Sequence, residues 1–229
     1  MLIVAVGVIV AIVVVSASAF GIVYLRKRRV DRRIGYLAQY DQLTGLINRF
    51  LFSDRLESAI VRARRDESLV ALMFLDLDDF KAVNDHYGHA TGDALLKQVA
   101  KRIVASVRET DSVGRIGGDE FTVILESGSR LEDAGQVATK ILDTVAEPYL
   151  VGNRELRVTA SIGIAMYPLD GDNSQALLRD ADIAMYSAKA AGSNTYQYFT
   201  PKLRQSASER LGLIDGLRRA VATGEGLRL

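Results

Sequence analysis

Carboxylates gather at two places along the chain. Asp76, Asp78 and Asp79 close a continuous apolar run, residues 69–75 (LVALMFL), and Asp119 and Glu120 directly follow Gly117 and Gly118. Acids at the end of a buried strand, together with acids at a glycine hairpin tip, are what Mg²⁺-dependent phosphoryl chemistry requires. Mg²⁺ takes oxygen ligands and keeps phosphate oxygens in its shell. Two glycines let a backbone approach those phosphates with no Cβ in the way. Each piece alone has an ordinary explanation, solvated surface for the acids and a plain turn for Gly-Gly. Their combination points to a site.

The elements that must position these acids follow from the hydrophobic pattern. Residues 69–75 have the length and continuity of a central strand covered on both faces. A helix is expected over residues 47–65, with Phe50, Leu51, Leu56, Ile60 and Ala63 available for one face. Leu96, Val99, Ala100, Ile103, Val104 and Val107 recur at helical spacing, as do Ala134, Val137, Ala138, Ile141, Leu142 and Val145. Residues 112–116 and 121–125 flank the Gly-Gly-Asp-Glu turn as a hairpin. Residues 156–165 form a strand, and Leu177, Ala181, Ala184, Met185 and Ala188 line a last helix. This order predicts an α/β (α+β) domain, a mixed sheet with flanking helices.

The chain has 229 residues, 48% hydrophobic and 25% charged, which excludes wholesale disorder. A net charge of +1 argues against a uniformly basic nucleic-acid binder, and zero cysteines exclude disulfides and Cys-ligated metal. The charge is uneven. Residues 1–25 carry no charged side chain and are long enough to cross a bilayer as one helix. Arg26, Lys27, Arg28, Arg29, Arg32 and Arg33 follow at once, so the positive-inside rule keeps everything after them in the cytoplasm. A cleaved signal peptide ending near Ala17-Ser18-Ala19 is the rival reading, disfavoured by the missing basic start. Residues 26–40 are a basic juxtamembrane connector, helical towards its end.

The motifs carry a family resemblance. Arg115-Ile116-Gly117-Gly118-Asp119-Glu120-Phe121 resembles the signature of GGDEF-domain diguanylate cyclases. Residues 41–49 (DQLTGLINR) are similar to the family's opening motif, 75–81 (LDLDDFK) to its metal strand and 84–93 (NDHYGHATGD) to its guanine loop. Residues 158–165 (VTASIGIA) and 181–189 (ADIAMYSAK) are similar to its last strand and last helix. On this resemblance residues 41–200 are identified as a GGDEF domain, with a palm-like nucleotidyl-cyclase fold.

The resemblance implies condensation of two GTP into cyclic di-GMP and pyrophosphate, in a site completed only when two domains face each other as a homodimer. It implies Asp76, the Leu77 carbonyl, Asp119 and Glu120 as ligands of Mg²⁺, or of Mn²⁺ in its place. Asp119 is then the candidate base, with Glu120 the other catalytic acid. It implies Asn84 and Asp93 on the guanine edge, His89 nearby, Gly117 and Gly118 under the phosphates, and Lys189 on the triphosphate. Arg108 and Asp111 match the family's inhibitory product site, although Arg-x-x-Asp is often just an i,i+3 surface ion pair.

One departure stands out: Gly192-Ser193-Asn194 replaces the frequent Gly-Arg-Asn. If that arginine touches the triphosphate, Ser193 forfeits a charge-assisted hydrogen bond of about 1.5–3 kcal/mol. Residues 201–229 resemble the linker into an EAL phosphodiesterase domain that is itself truncated here. The expectation is therefore a membrane-anchored cyclase in the cytoplasmic membrane. Its alternative is a non-catalytic module that binds GTP or cyclic di-GMP.

Overall fold

The computed structural model describes residues 38–126, 131–206 and 209. The expected membrane helix, most of the basic connector and most of the tail after residue 200 lie outside these residues. Among the described residues no helix is long and apolar enough to cross a membrane.

The domain follows the order α1 (Arg49–Asp66), β1 (Val70–Leu77), α2 (Phe80–Tyr87), α3 (His89–Ser106), β2 (Ser112–Gly117) and β3 (Glu120–Leu125). It continues with α4 (Leu131–Ala146), β4 (Tyr149–Val151), β5 (Arg154–Leu156), β6 (Ala160–Tyr167), α5 (Ser174–Ala190) and β7 (Tyr196–Tyr198). Five strands form one sheet in the order β2-β3-β1-β6-β7, and β4 and β5 form a separate hairpin. All pairings in the large sheet are antiparallel except β6 with β7, which makes it mixed.

Strand β1 is the centre, as its unbroken apolar run requires. Its alternation divides the protein into two layers. Ala71, Met73, Leu75 and Leu77 join the core built with Leu95, Val99 and Ile103 of α3 and Ala138, Ile141 and Val145 of α4. The opposite face is covered by α1 and α5. There Gly163 of β6 lies under α5, where an added Cβ would come within 1.9 Å of the Ala181 carbonyl and 2.2 Å of the Met185 amide. The absent side chain is what lets the helix seat so close to the sheet.

Three expectations need correction. Asn48 caps α1 by accepting from the Phe50 and Leu51 amides, which sets the register so that Phe52, Leu56, Ala59, Ile60 and Ala63 are buried while Phe50 is 70% exposed. Val104 likewise faces solvent at 47% exposure. The strand expected over 156–165 is two pieces, because Leu156 closes the β4–β5 hairpin before the chain enters β6 at Ala160.

Candidate active site

Side chains of opposite faces alternate along a strand, so the cross-strand register decides which acids meet. Asp76 of β1 stands directly opposite Glu120 of β3, and both point to the face covered by α5. From that helix's last turn the Lys189 ammonium donates to Asp76 Oδ1 at 2.5 Å. Burial raises the Asp76 carboxyl above its ordinary range. Lys189 draws it back, and the Asp119 and Asp78 charges raise it further. Burial also raises Glu120, followed by repulsion from Asp76, Asp182 and Asp119, with Lys189 opposing.

Asp182 was not among the residues singled out from sequence. It sits two turns before Lys189 on the same side of α5, and the protein crowded around its carboxyl raises its pKa although its surface is exposed. Glu120 and Asp182 line a cleft of about 500 Å³ between α1 and α5, with Arg49 and Arg179 also at its wall. A larger cleft of about 610 Å³ lies along α2 beside Arg157 and holds none of Asp76, Asp119 or Glu120.

The glycine turn is held from behind. The Arg115 guanidinium donates to both oxygens of Asp41 at 3.0 and 3.1 Å, and to the Gly118 carbonyl at 3.0 Å from Nε and 2.6 Å from Nη2. Burial alone would raise the Asp41 carboxyl, but the Thr44 hydroxyl and amide and Arg115 together hold it below its usual range. Sequence spacing gave no sign of this pair, which joins residues 74 positions apart. The Leu77 amide approaches the Asp119 carbonyl at 3.4 Å and so keeps Asp119 by the end of β1.

Gly118 takes φ +54, a left-handed conformation that favours glycine. Gly117 has no such φ, and a Cβ built on it would touch nothing within 4 Å. Neither a left-handed backbone nor packing against the described residues demands a glycine there.

Of the three acids closing β1, Asp78 is structural. It accepts from the Thr159 and Ser161 hydroxyls at 2.7 Å each and from the Asn194 amide at 3.1 Å, tying the end of β1 to the start of β6 and to the loop after α5. Ser193 lies beside that contact at φ 61. Asn84 on α2 and His89 and Asp93 on α3 belong to one helical hairpin that turns at Gly88, φ +81. His89 and Asp93 are exposed and Asn84 is half-buried.

Arg108 and Asp111 do not form the surface ion pair that their spacing allows. The Asp111 carboxylate instead accepts from the Arg108 amide at 2.9 Å and from the Glu126 amide at 3.4 Å. A cleft of about 250 Å³ opens between these two residues and Gln136 and Lys140 of α4.

No group of three His, Cys, Asp or Glu side chains among the described residues converges into a ready metal site. Mg²⁺ commonly uses only one or two carboxylates, with substrate phosphates completing its shell. Two raised acids sharing one lysine fit an ion that arrives with a nucleotide.

Residues 38–195 match the family described as "Diguanylate cyclase, GGDEF domain". The chain belongs to the GGDEF family. Among its relatives is the bifunctional diguanylate cyclase/cyclic di-GMP phosphodiesterase MucR of Pseudomonas aeruginosa, 47% identical over 193 residues that cover 84% of this chain and 28% of MucR. The cyclic di-GMP phosphodiesterase PdeR of Escherichia coli is 39% identical over 195 residues, 85% of this chain and 29% of PdeR. Diguanylate cyclase TpbB of P. aeruginosa is 39% identical over 180 residues, 77% of this chain and 41% of TpbB. A solved structure of the TpbB GGDEF domain superimposes with a TM-score of 0.72 at 38% identity, covering 74% of this chain and 99% of that one. The chain thus spans well under half the length of these curated relatives. Its GGDEF domain has the family's α+β palm-like fold, and the family is generally dependent on divalent metal.

Proposed function

We propose that this GGDEF protein is an active diguanylate cyclase, condensing two GTP into cyclic di-GMP and two pyrophosphates across a homodimer of facing domains. The observation that carries the reading is the meeting of Asp76, Glu120 and Lys189 on one sheet face, beside Asp119 and a glycine turn whose Gly117 is free of internal demands.

In each half-site Asn84 and Asp93 read the guanine edge, with His89 nearby, and the phosphates lie over Gly117 and Gly118. Lys189 exchanges its bond to Asp76 for the triphosphate. Asp76, Asp119, the Leu77 carbonyl and Glu120 are the residues that would hold Mg²⁺, which when bound neutralises phosphate charge and lowers the pKa of the attacking hydroxyl. Asp119 takes the proton from the 3′-hydroxyl of one GTP as that oxygen bonds to the α-phosphorus of the other. The bond to pyrophosphate breaks in the same displacement. A second such displacement closes the ring. Arg108 and Asp111 bind product and disfavour the facing arrangement, which makes the inhibition allosteric.

Residues 1–25 anchor the chain as one membrane helix, supported by their lack of charge and by the basic cluster that follows. The catalytic domain is then cytoplasmic. The tail from residue 201 leads, on its resemblance, toward an EAL domain. A second reading is favoured by Ser193 and by relatives named as phosphodiesterases: a domain that binds nucleotide and regulates a partner without turnover.

The test is incubation of the purified full chain with GTP and Mg²⁺, following products by chromatography. Cyclic di-GMP that disappears in Asp119→Ala supports the cyclase. Bound GTP with no product supports the regulatory module.

A further inference from the structure

Gly92 sits in the first turn of α3, buried, in ordinary helical backbone with no positive φ. Glycine is a poor choice there, because alanine is the stronger helix former and nothing in the backbone conformation requires the exception. The neighbouring Gly88 is different, since its φ of +81 accounts for it. What Gly92 avoids is a collision. A Cβ built on it would lie 2.0 Å from Oδ1 and 3.0 Å from Cγ of Asn84, and 3.1 Å from Cζ of Phe80. The Asn84 amide therefore rests directly on the bare Cα of Gly92, one residue before Asp93.

We propose that Gly92 is a positioning residue for guanine recognition, its missing side chain forming the seat that fixes the Asn84 amide toward the base. The inference rests on the reading of Asn84 as a guanine contact. The closest obstructing atom, Asn84 Oδ1, ends a rotatable side chain, so turning Asn84 away relieves the main collision and leaves the buried Phe80 ring, with Cζ 3.1 Å away, to give by a few tenths of an ångström. The consequence is selective: Gly92→Ala keeps its structure and loses recognition. Two residues that act through one contact also behave non-additively. Once Asn84 is alanine the seat has no occupant, and Gly92→Ala then meets only the slight Phe80 contact, which does not bear on the base.

The experiment measures equilibrium binding of GTP and of ATP to the full chain for the native protein, Gly92→Ala, Asn84→Ala and the double variant. Melting temperatures are recorded for each. Gly92→Ala is expected to weaken GTP about five- to ten-fold, the loss of one hydrogen bond, and to leave ATP binding unchanged. The double variant is expected to match Asn84→Ala in affinity. Gly92→Ala that binds GTP as the native protein does, while Asn84→Ala is weakened, overturns the proposal and leaves the guanine contact standing. A double variant weaker than Asn84→Ala by the full Gly92→Ala factor also overturns it, because the two positions then act independently. Asn84→Ala with native GTP affinity overturns both readings together. Should Gly92→Ala alone melt early, stability restored in the double variant still supports the seat, and stability lost equally in both contradicts it.

Discussion

Gly117 and Gly118 are adjacent and identical in sequence, yet they answer to different requirements. A Cβ at Gly118 strains the backbone at φ +54, whereas one at Gly117 meets no atom of the domain. Gly117→Ala should therefore melt within about 0.5 kcal/mol of the native protein, as an open surface substitution does. It should still lose most cyclase turnover, because its methyl group occupies the path of the phosphates. Parallel melting and product assays check this. The clamp behind the turn has a pH signature. Asp41 is held below its ordinary 3.8 in the folded state, so its contribution is present above 3.8 and is lost as pH falls through the lower folded value. Asp41→Asn should be less stable than native at pH 7, and the gap should close at the acid end of a pH series of urea melts. Among individual residues, the signature acids were legible in sequence because they are adjacent to one another. Arg115 with Asp41, and Asp182 beside Glu120, were not, since long-range contacts leave no local pattern.

Helix α5 does two jobs at once, covering the sheet and carrying Lys189 to Asp76. Its height above β6 is set at Gly163, where the obstructing atoms are backbone and cannot turn aside. Gly163→Ala should cost about 1–3 kcal/mol of stability through overpacking, read from the urea midpoint, and should impair turnover by shifting Lys189. This contrasts with Gly92, where the main obstacle is a flexible amide. The elements with strong periodic signals, β1, α3, α4 and α5, were legible because each buries a long apolar face. The short β7 was not, since Tyr196–Tyr198 has three half-buried residues and exists through parallel pairing with β6. The buried face of α1 was misread at Phe50, which is apolar yet sits on the solvent side of the first turn, its amide donating to the Asn48 cap.

At the scale of the whole molecule, the proposed cyclase takes one half-site from each of two domains, so its activity would depend on how often two domains face each other. Product bound at Arg108 and Asp111 would oppose that encounter. Arg108→Ala should remove a charge-assisted contact and raise the cyclic di-GMP concentration needed for half-inhibition roughly ten-fold or more, with the initial rate unchanged. Progress curves with added product measure this. The most direct test of the central claim is the rate of cyclic di-GMP formation per protein by the full chain in lipid vesicles, measured across a range of surface densities with GTP and Mg²⁺. The account predicts a rate that rises with density to a plateau, two pyrophosphates released for each cyclic di-GMP, and none in Asp119→Ala. Bound GTP with no cyclic di-GMP at any density would contradict it.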